Sequence, residues 1–219
     1  MRRRWLAFGL TVGAVAAVAR FRSRLSAVVR SLQTYSAPSA TVYDTVAALA
    51  FGGFFSRVTA QLTEGRAITR VLDIGAGPGQ LAMKVATSAP NARVVGLDVA
   101  PDMIQRASAR AARSSDGDRL RLVLGDAVSL PFADGSFDAV ITTFSLHHWP
   151  DPERGIAEME RVLRPGGVAR VYDIADWVRW LERHGEGTPS SKLFGRGWTR
   201  TVDTRIGPVP LLYRAELTR

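Results

Sequence analysis

Two acids, three glycines and two histidines lie at spacings that could do chemistry. The run Asp73-Ile74-Gly75-Ala76-Gly77-Pro78-Gly79 places a glycine at every second position behind an acid. Glycine has no Cβ, so such a backbone can turn tightly and let a ligand approach it closely. Asp98 follows Gly79 by 19 residues. At that place one carboxylate can accept hydrogen bonds from both hydroxyls of a ribose. A dinucleotide site would also want a glycine or alanine at the sixth motif position; counted from Gly75, that position is Gln80. The acid Asp73 is a poor neighbour for a pyrophosphate and a good one for a cation. His147-His148 brings a side chain that exchanges protons near neutrality, although orienting a ligand or a loop would use the same residues.

Composition narrows the chemistry. The chain has 219 residues and no cysteine. Disulfides, thiolate zinc sites and a cysteine nucleophile are therefore excluded. Three histidines (His147, His148, His184) are too few for a histidine-rich metal centre. The net charge of +9 is unevenly placed: residues 1–35 carry seven arginines and no acid. Residues 36–175 carry 14 basic against 15 acidic residues, and residues 176–219 carry eight against five. A near-neutral central block offers no field for nucleic acid. The N-terminus is the part suited to an anionic surface.

These residues need elements to position them. Arg70 to Ile74 is a short apolar, β-branched run, suited to a strand covered on both faces. Gln80 to Ser88 has helical spacing, with Leu81, Met83, Val85 and Ala86 apolar. Arg93 to Asp98 reads as a second strand, and Pro101-Asp102 opens a helix. Leu120 to Leu124 is a third strand before Gly125-Asp126-Ala127. Asp134-Gly135 signals a turn into a fourth strand, Ala139 to Phe144, which ends at Ser145-Leu146-His147-His148-Trp149. A helix runs from Pro150-Asp151-Pro152 through Leu163, and Arg164-Pro165-Gly166-Gly167 turns into a fifth strand, Val168 to Ile174. Asp176 to His184 reads as a short helix and 185–191 as a loop. Trp198 to Thr204 and Val209 to Thr218 read as a closing hairpin. Alternating strands and helices give an α/β class with a mainly parallel sheet, whose ligands lie at the carboxyl ends of the strands.

The ordered set of Asp73-x-Gly75-x-Gly77-x-Gly79, Asp98, Asp126, the strand end at 144–149 and the turn at 161–167 resembles the class I S-adenosylmethionine (SAM)-dependent methyltransferases. The likeness covers roughly residues 40–219 and is greatest to the small-molecule group that includes the ubiquinone and menaquinone C-methyltransferases. It implies a Rossmann-like, seven-stranded, mainly parallel sheet with helices on both faces and an antiparallel C-terminal hairpin. It implies SAM as cofactor, bound by Asp73, Gly75, Ala76, Gly77 and Gly79, with Gly75 and Gly77 admitting its methionine part, and with Asp98 on its ribose. Val99, Met103, Gly125, Asp126, Ala127 and Phe144 complete the implied cofactor site. There Asp126 would accept the adenine N–H, an ionised carboxylate being an acceptor only. Met103 and its neighbour Ile104 would serve equally as plain core. The acceptor would enter beside Tyr43, on a helix that often covers the cofactor in this family, and beside His147 and His148. Ordinary packing of that helix on the sheet is the alternative for Tyr43.

Residues 1–34 form a basic and apolar leader before a domain expected over 35–219. Arg2-Arg3-Arg4 precede an uncharged run, Trp5 to Ala19, and Arg20, Arg22 and Arg24 follow. A cleaved secretory signal is one reading, but arginines just after the apolar run oppose translocation. A spanning helix needs about 20 apolar residues, and fifteen reach only about 22 Å, which snorkelling arginines could extend. A helix lying on the anionic inner leaflet is the third reading, and a packed or disordered extension the fourth. Membrane association favours a lipophilic acceptor and a place on the cytoplasmic side of the membrane. Two rivals remain: a membrane-associated SAM-binding protein without catalysis, and an NAD(P)-dependent reductase. Oligomeric state is not legible here.

Overall fold

The computed structural model describes residues 40–175, 194–195, 197–206 and 209–219, excepting the side chains of 40–51, 205–206 and 209–211. Every side chain described below belongs to the unit Ala50–Arg219. The leader, the expected boundary at 34/35 and the helix and loop expected over 176–191 lie outside the described residues.

Helix α1 (Ala40–Thr63) leads into strand β1 (Arg70–Ile74), helix α2 (Gln80–Ser88), strand β2 (Arg93–Asp98), helix α3 (Pro101–Ala111) and strand β3 (Leu120–Leu124). Strand β4 (Phe137–Thr143), helix α4 (Pro152–Val162), strand β5 (Leu163–Ile174), and strands β6 (Trp198–Ile206) and β7 (Val209–Thr218) complete the order. The seven strands form one sheet in the order β3-β2-β1-β4-β5-β7-β6. Strands β1 to β5 are parallel, and β7 runs antiparallel to both β5 and β6. The order in which strands are added reverses between β1, which leads outward to β2 and β3, and β4 on its other side. A ligand crevice opens at such a switch point, outside the carboxyl ends of the strands.

Period-two alternation divides the core between the two faces of the sheet. Val71, Val94, Ala139, Ile141 and Tyr172 pack with Phe54, Val58 and Leu62 of α1 and Leu81, Val85 and Ala86 of α2. Leu72, Ile74, Val140, Ala169 and Val171 pack with Ile156, Met159 and Val162 of α4. The expected two-faced burial of the central strands is therefore present, and it fixes which way Asp73 and Asp173 point. Asp138 ties the start of β1 to β4. It accepts from the Thr69 amide and hydroxyl, each at 2.6 Å, and from the Arg70 amide at 2.9 Å. Arg164 is 3.0 Å from its other oxygen.

Two boundaries differ from expectation. Arg164-Pro165-Gly166-Gly167 is a bulge inside β5 rather than a turn before it. Phe137 pairs with Leu163 and Ala139 with Val168, so the extra residues are taken up between those pairs. Gly166 has φ +77°. The chain end closes on the bulge, Gly166 N donating to Arg219 O at 2.7 Å and Arg219 N to Gly167 O at 3.0 Å. Strand β4 stops at Thr143 because Phe144 has φ +53°, outside the extended region. Among the described residues no helix is long and apolar enough to cross a membrane.

Candidate functional site

The glycine turn between β1 and α2 is held from three directions. Gly75, Gly77 and Gly79 all have positive φ, at 69°, 53° and 74°, a region costly for side chains with a Cβ. From β2, Leu97 O accepts from Gly75 N at 2.8 Å and Ala76 N at 3.0 Å. Asp98 Oδ2 accepts from Gly77 N at 2.7 Å and Oδ1 from Ala100 N at 2.9 Å. From α3, Arg110 Nε donates to Pro78 O at 2.9 Å, and Ala107 lies where a Cβ on Gly79 would fall. From the end of β4, Ser145 occupies the space beside Gly75. Asp98 O also accepts from Gly125 N at 3.0 Å, which draws the end of β3 to the same place.

Asp73 lies beneath this turn with both carboxylate oxygens buried and without a hydrogen-bond partner. Burial, then the charge of Asp98, push its pKa up from 3.8 to about 8. The Ala82 amide at the start of α2 works the other way, but it lies outside hydrogen-bonding geometry with either oxygen. A buried, unpartnered acid costs stability unless a ligand completes it. Positive charge close above the turn would do so.

The strand end at 144–149 holds a pair the sequence reading did not find. His147 Nδ1 is 2.6 Å from Asp173 Oδ1, and His147 N donates to Asp173 Oδ2 at 3.0 Å. Asp173 is wholly buried, near the carboxyl end of β5, and Ile174 N also donates to it, at 2.8 Å. A carboxylate on Nδ1 puts the ring proton there and leaves Nε2 as the acceptor nitrogen. The available signal was an acid ending an otherwise apolar strand beside the one that carries the histidines. The ring centroid of His148 is 4.0 Å from that of His147, with the two planes tilted by 45°, and His148 is exposed.

The other expected residues divide. Val99 is 69% exposed at the end of β2, and Leu124 is 56% exposed at the end of β3. These apolar side chains flank a crevice that an apolar, planar group could cover. Met103 and Ala127 are buried, so Ala127 can offer a ligand only its main chain. Asp126 is half-buried, and its Oδ1 accepts from Val128 N at 3.1 Å in a local turn. Phe144 packs on Phe54 of α1, with ring centroids 5.1 Å apart. Tyr43 falls on α1, but its side chain is outside the described residues. Among the described residues no group of three or more His, Cys, Asp or Glu could hold a metal ion.

Residues 72–171 match the methyltransferase domain family. The demethylmenaquinone methyltransferase of Thermus thermophilus is 42% identical over 108 residues, which are 49% of this chain and 48% of that protein. The 27-O-demethylrifamycin SV methyltransferase of Amycolatopsis mediterranei is 43% identical over 108 residues, 49% of this chain and 39% of that protein. The chain thus resembles the class I SAM-dependent methyltransferases of the ubiquinone and menaquinone type, while spanning under half the length of either relative. The solved structure of the [4+2]-cyclase SpnF is 32% identical and covers 56% of this chain and 44% of its own, with a TM-score of 0.52. A cyclase on this fold means that fold alone does not choose the reaction.

Proposed function

We propose that this chain is a SAM-dependent methyltransferase that methylates a lipophilic, quinone-type acceptor at the cytoplasmic face of a membrane. The observation that carries the cofactor is Asp73: a buried acid with both oxygens unpartnered, under a glycine turn that a ligand can approach. SAM fits this place: it carries two positive groups, a sulfonium and an ammonium, beside one carboxylate, and has no phosphate for the acid to repel. Asp98 already receives two amides. A carboxylate has about four lone-pair positions, so ribose hydroxyls can still be accepted. Asp126 and exposed Val99 would take the adenine edge and face.

When bound, SAM supplies a methyl group on a sulfonium that departs as a neutral thioether. The rest of the chemistry falls to the chain. The glycine turn would hold the methionine part, and the ends of β4 and β5 would hold the acceptor beside it for transfer. His147, oriented by Asp173, takes the acceptor's proton on Nε2 as the new bond to carbon or oxygen forms. The acceptor class is supported by the names of the menaquinone-type relatives and by the basic and apolar leader.

The test incubates the full chain with methyl-labelled SAM and demethylmenaquinol in detergent micelles. Label should enter the lipid extract, and His147→Ala and Asp173→Asn should slow transfer by about 10²–10⁴-fold with S-adenosylhomocysteine (SAH) affinity kept within a few fold. Cofactor binding without transfer to this lipid would overturn the acceptor. Unchanged transfer in both variants would overturn the proton role of His147.

A further inference from the structure

The segment that carries His147 meets the glycine turn at Ser145. A Cβ placed on Gly75 would run into Ser145 Oγ and Cβ, so the serine fills the space that this glycine leaves bare. Ser145 Oγ in turn accepts from Trp149 Nε1 at 2.9 Å. The indole is buried, 9% exposed, and lies on Gly155 of α4, where a Cβ would strike ring atoms Cε3 and Cζ3. Contact is therefore continuous from α4 through Trp149 and Ser145 to the turn. Between the two residues is one 3-10 turn, Leu146–His148. Main-chain bonds from His148 N to Ser145 O at 2.9 Å and from Trp149 N to Leu146 O at 3.1 Å close it. His147 is in its middle.

We infer that Ser145 and Trp149 are positioning residues, and that their side-chain bond sets the His147–Asp173 pair against the cofactor turn. The backbone before Ser145 calls for such a device. Phe144 has φ +53°, a strained state for an aromatic residue that persists only where its surroundings over-determine it. Packing against Phe54 constrains one side of that turn, and the bond between Trp149 and Ser145 constrains the other. A phenylalanine at 149 would keep a ring on Gly155 but leave Ser145 free to rotate and its loop closed by the main chain alone.

The inference rests on the proposed role of His147, and its test separates the two. The full chain is compared with Trp149→Phe, Ser145→Ala and the double variant. One readout needs no ligand: the imidazole N–H signal of His147 in the nuclear magnetic resonance spectrum, reporting the proton shared with Asp173. The other is calorimetric titration with SAH. Each single variant should shift the His147 signal or lose it to solvent exchange, and weaken SAH binding about five- to tenfold, the scale of one buried hydrogen bond. The double variant should be no worse than Trp149→Phe, because both changes remove one bond. Should Trp149→Phe fail to fold, Ser145→Ala removes the same bond with a smaller change of volume. A lower melting temperature with His147 signal and SAH affinity at the wild-type level would overturn the inference, as would additive losses in the double variant. A wild-type chain that binds no SAH would defeat the proposed function, and the ligand-free signal would still decide the role of Ser145 and Trp149.

Discussion

Asp73 shows how one residue links stability to ligand binding. Its type and its place before the glycines are plain in the sequence. Its isolation is not, because that depends on β2 bringing Asp98 alongside and on α2 covering it. The folded pKa near 8 lies above the ordinary 3.8, so the folded chain binds that proton more tightly than the unfolded chain. The stability this contributes is complete below about pH 4 and is lost as pH rises towards 8. Asp73→Asn, which imitates the protonated acid, should raise the melting temperature of the ligand-free protein, and by more at pH 8.5 than at pH 6. A cationic cofactor must displace the proton, so SAM affinity in the wild type should climb between pH 6 and 8, at most about tenfold per unit. In the asparagine variant it should be weaker and flat. An equal thermal gain at both pH values, or a flat wild-type binding profile, would refute this account. Asp173 illustrates the opposite limit of sequence reading. Its partner His147 is 26 residues away, and only the adjacency of β4 and β5 joins them.

At the scale of elements, the central strands were legible because apolar, β-branched runs buried on both faces leave few alternatives. Strand ends were less so. Phe144 looks like the last residue of an apolar strand, and only its left-handed backbone shows that β4 has already stopped. Arg164-Pro165-Gly166-Gly167 has the composition of a turn. It becomes a bulge because β4 and the chain terminus pair with the backbone on either side. Asp138 reads in the sequence only as a residue between the Asp134-Gly135 turn and the fourth strand, yet it holds β1 to β4. Burial alone would raise its pKa, but the Thr69 hydroxyl and amide, the Arg70 amide and Arg164 hold it below the ordinary carboxylate value. Asp138→Ala should therefore cost about 2–3 kcal/mol at pH 7. A carboxylate with a depressed folded pKa stabilises above its unfolded value and loses that contribution as pH falls. The gap between wild type and variant in urea unfolding should accordingly narrow at pH 3. A gap that stays constant with pH would show that packing, not charge, accounts for the loss.

For the molecule as a whole, the sheet order β3-β2-β1-β4-β5-β7-β6 puts a ligand crevice between β1 and β4, and residues 72–171, which build it, match the methyltransferase domain family. The ordered motifs were enough to anticipate this, since those at Asp73–Gly79, Asp98, Asp126 and 144–149 mark the carboxyl ends of β1 to β4 in turn. The acceptor was not legible in the same way, because its side of the crevice is built from residues far apart in the chain. The central claim is that the crevice over Asp73 and Asp98 takes a SAM-type cofactor. Calorimetric titration of the full-length chain with SAH, beside NADH and beside the Asp98→Ala variant, tests it most directly. The account predicts micromolar binding of SAH, none of NADH, and at least a tenfold loss in the variant. Binding of NADH instead, or SAH affinity untouched by Asp98→Ala, would contradict it.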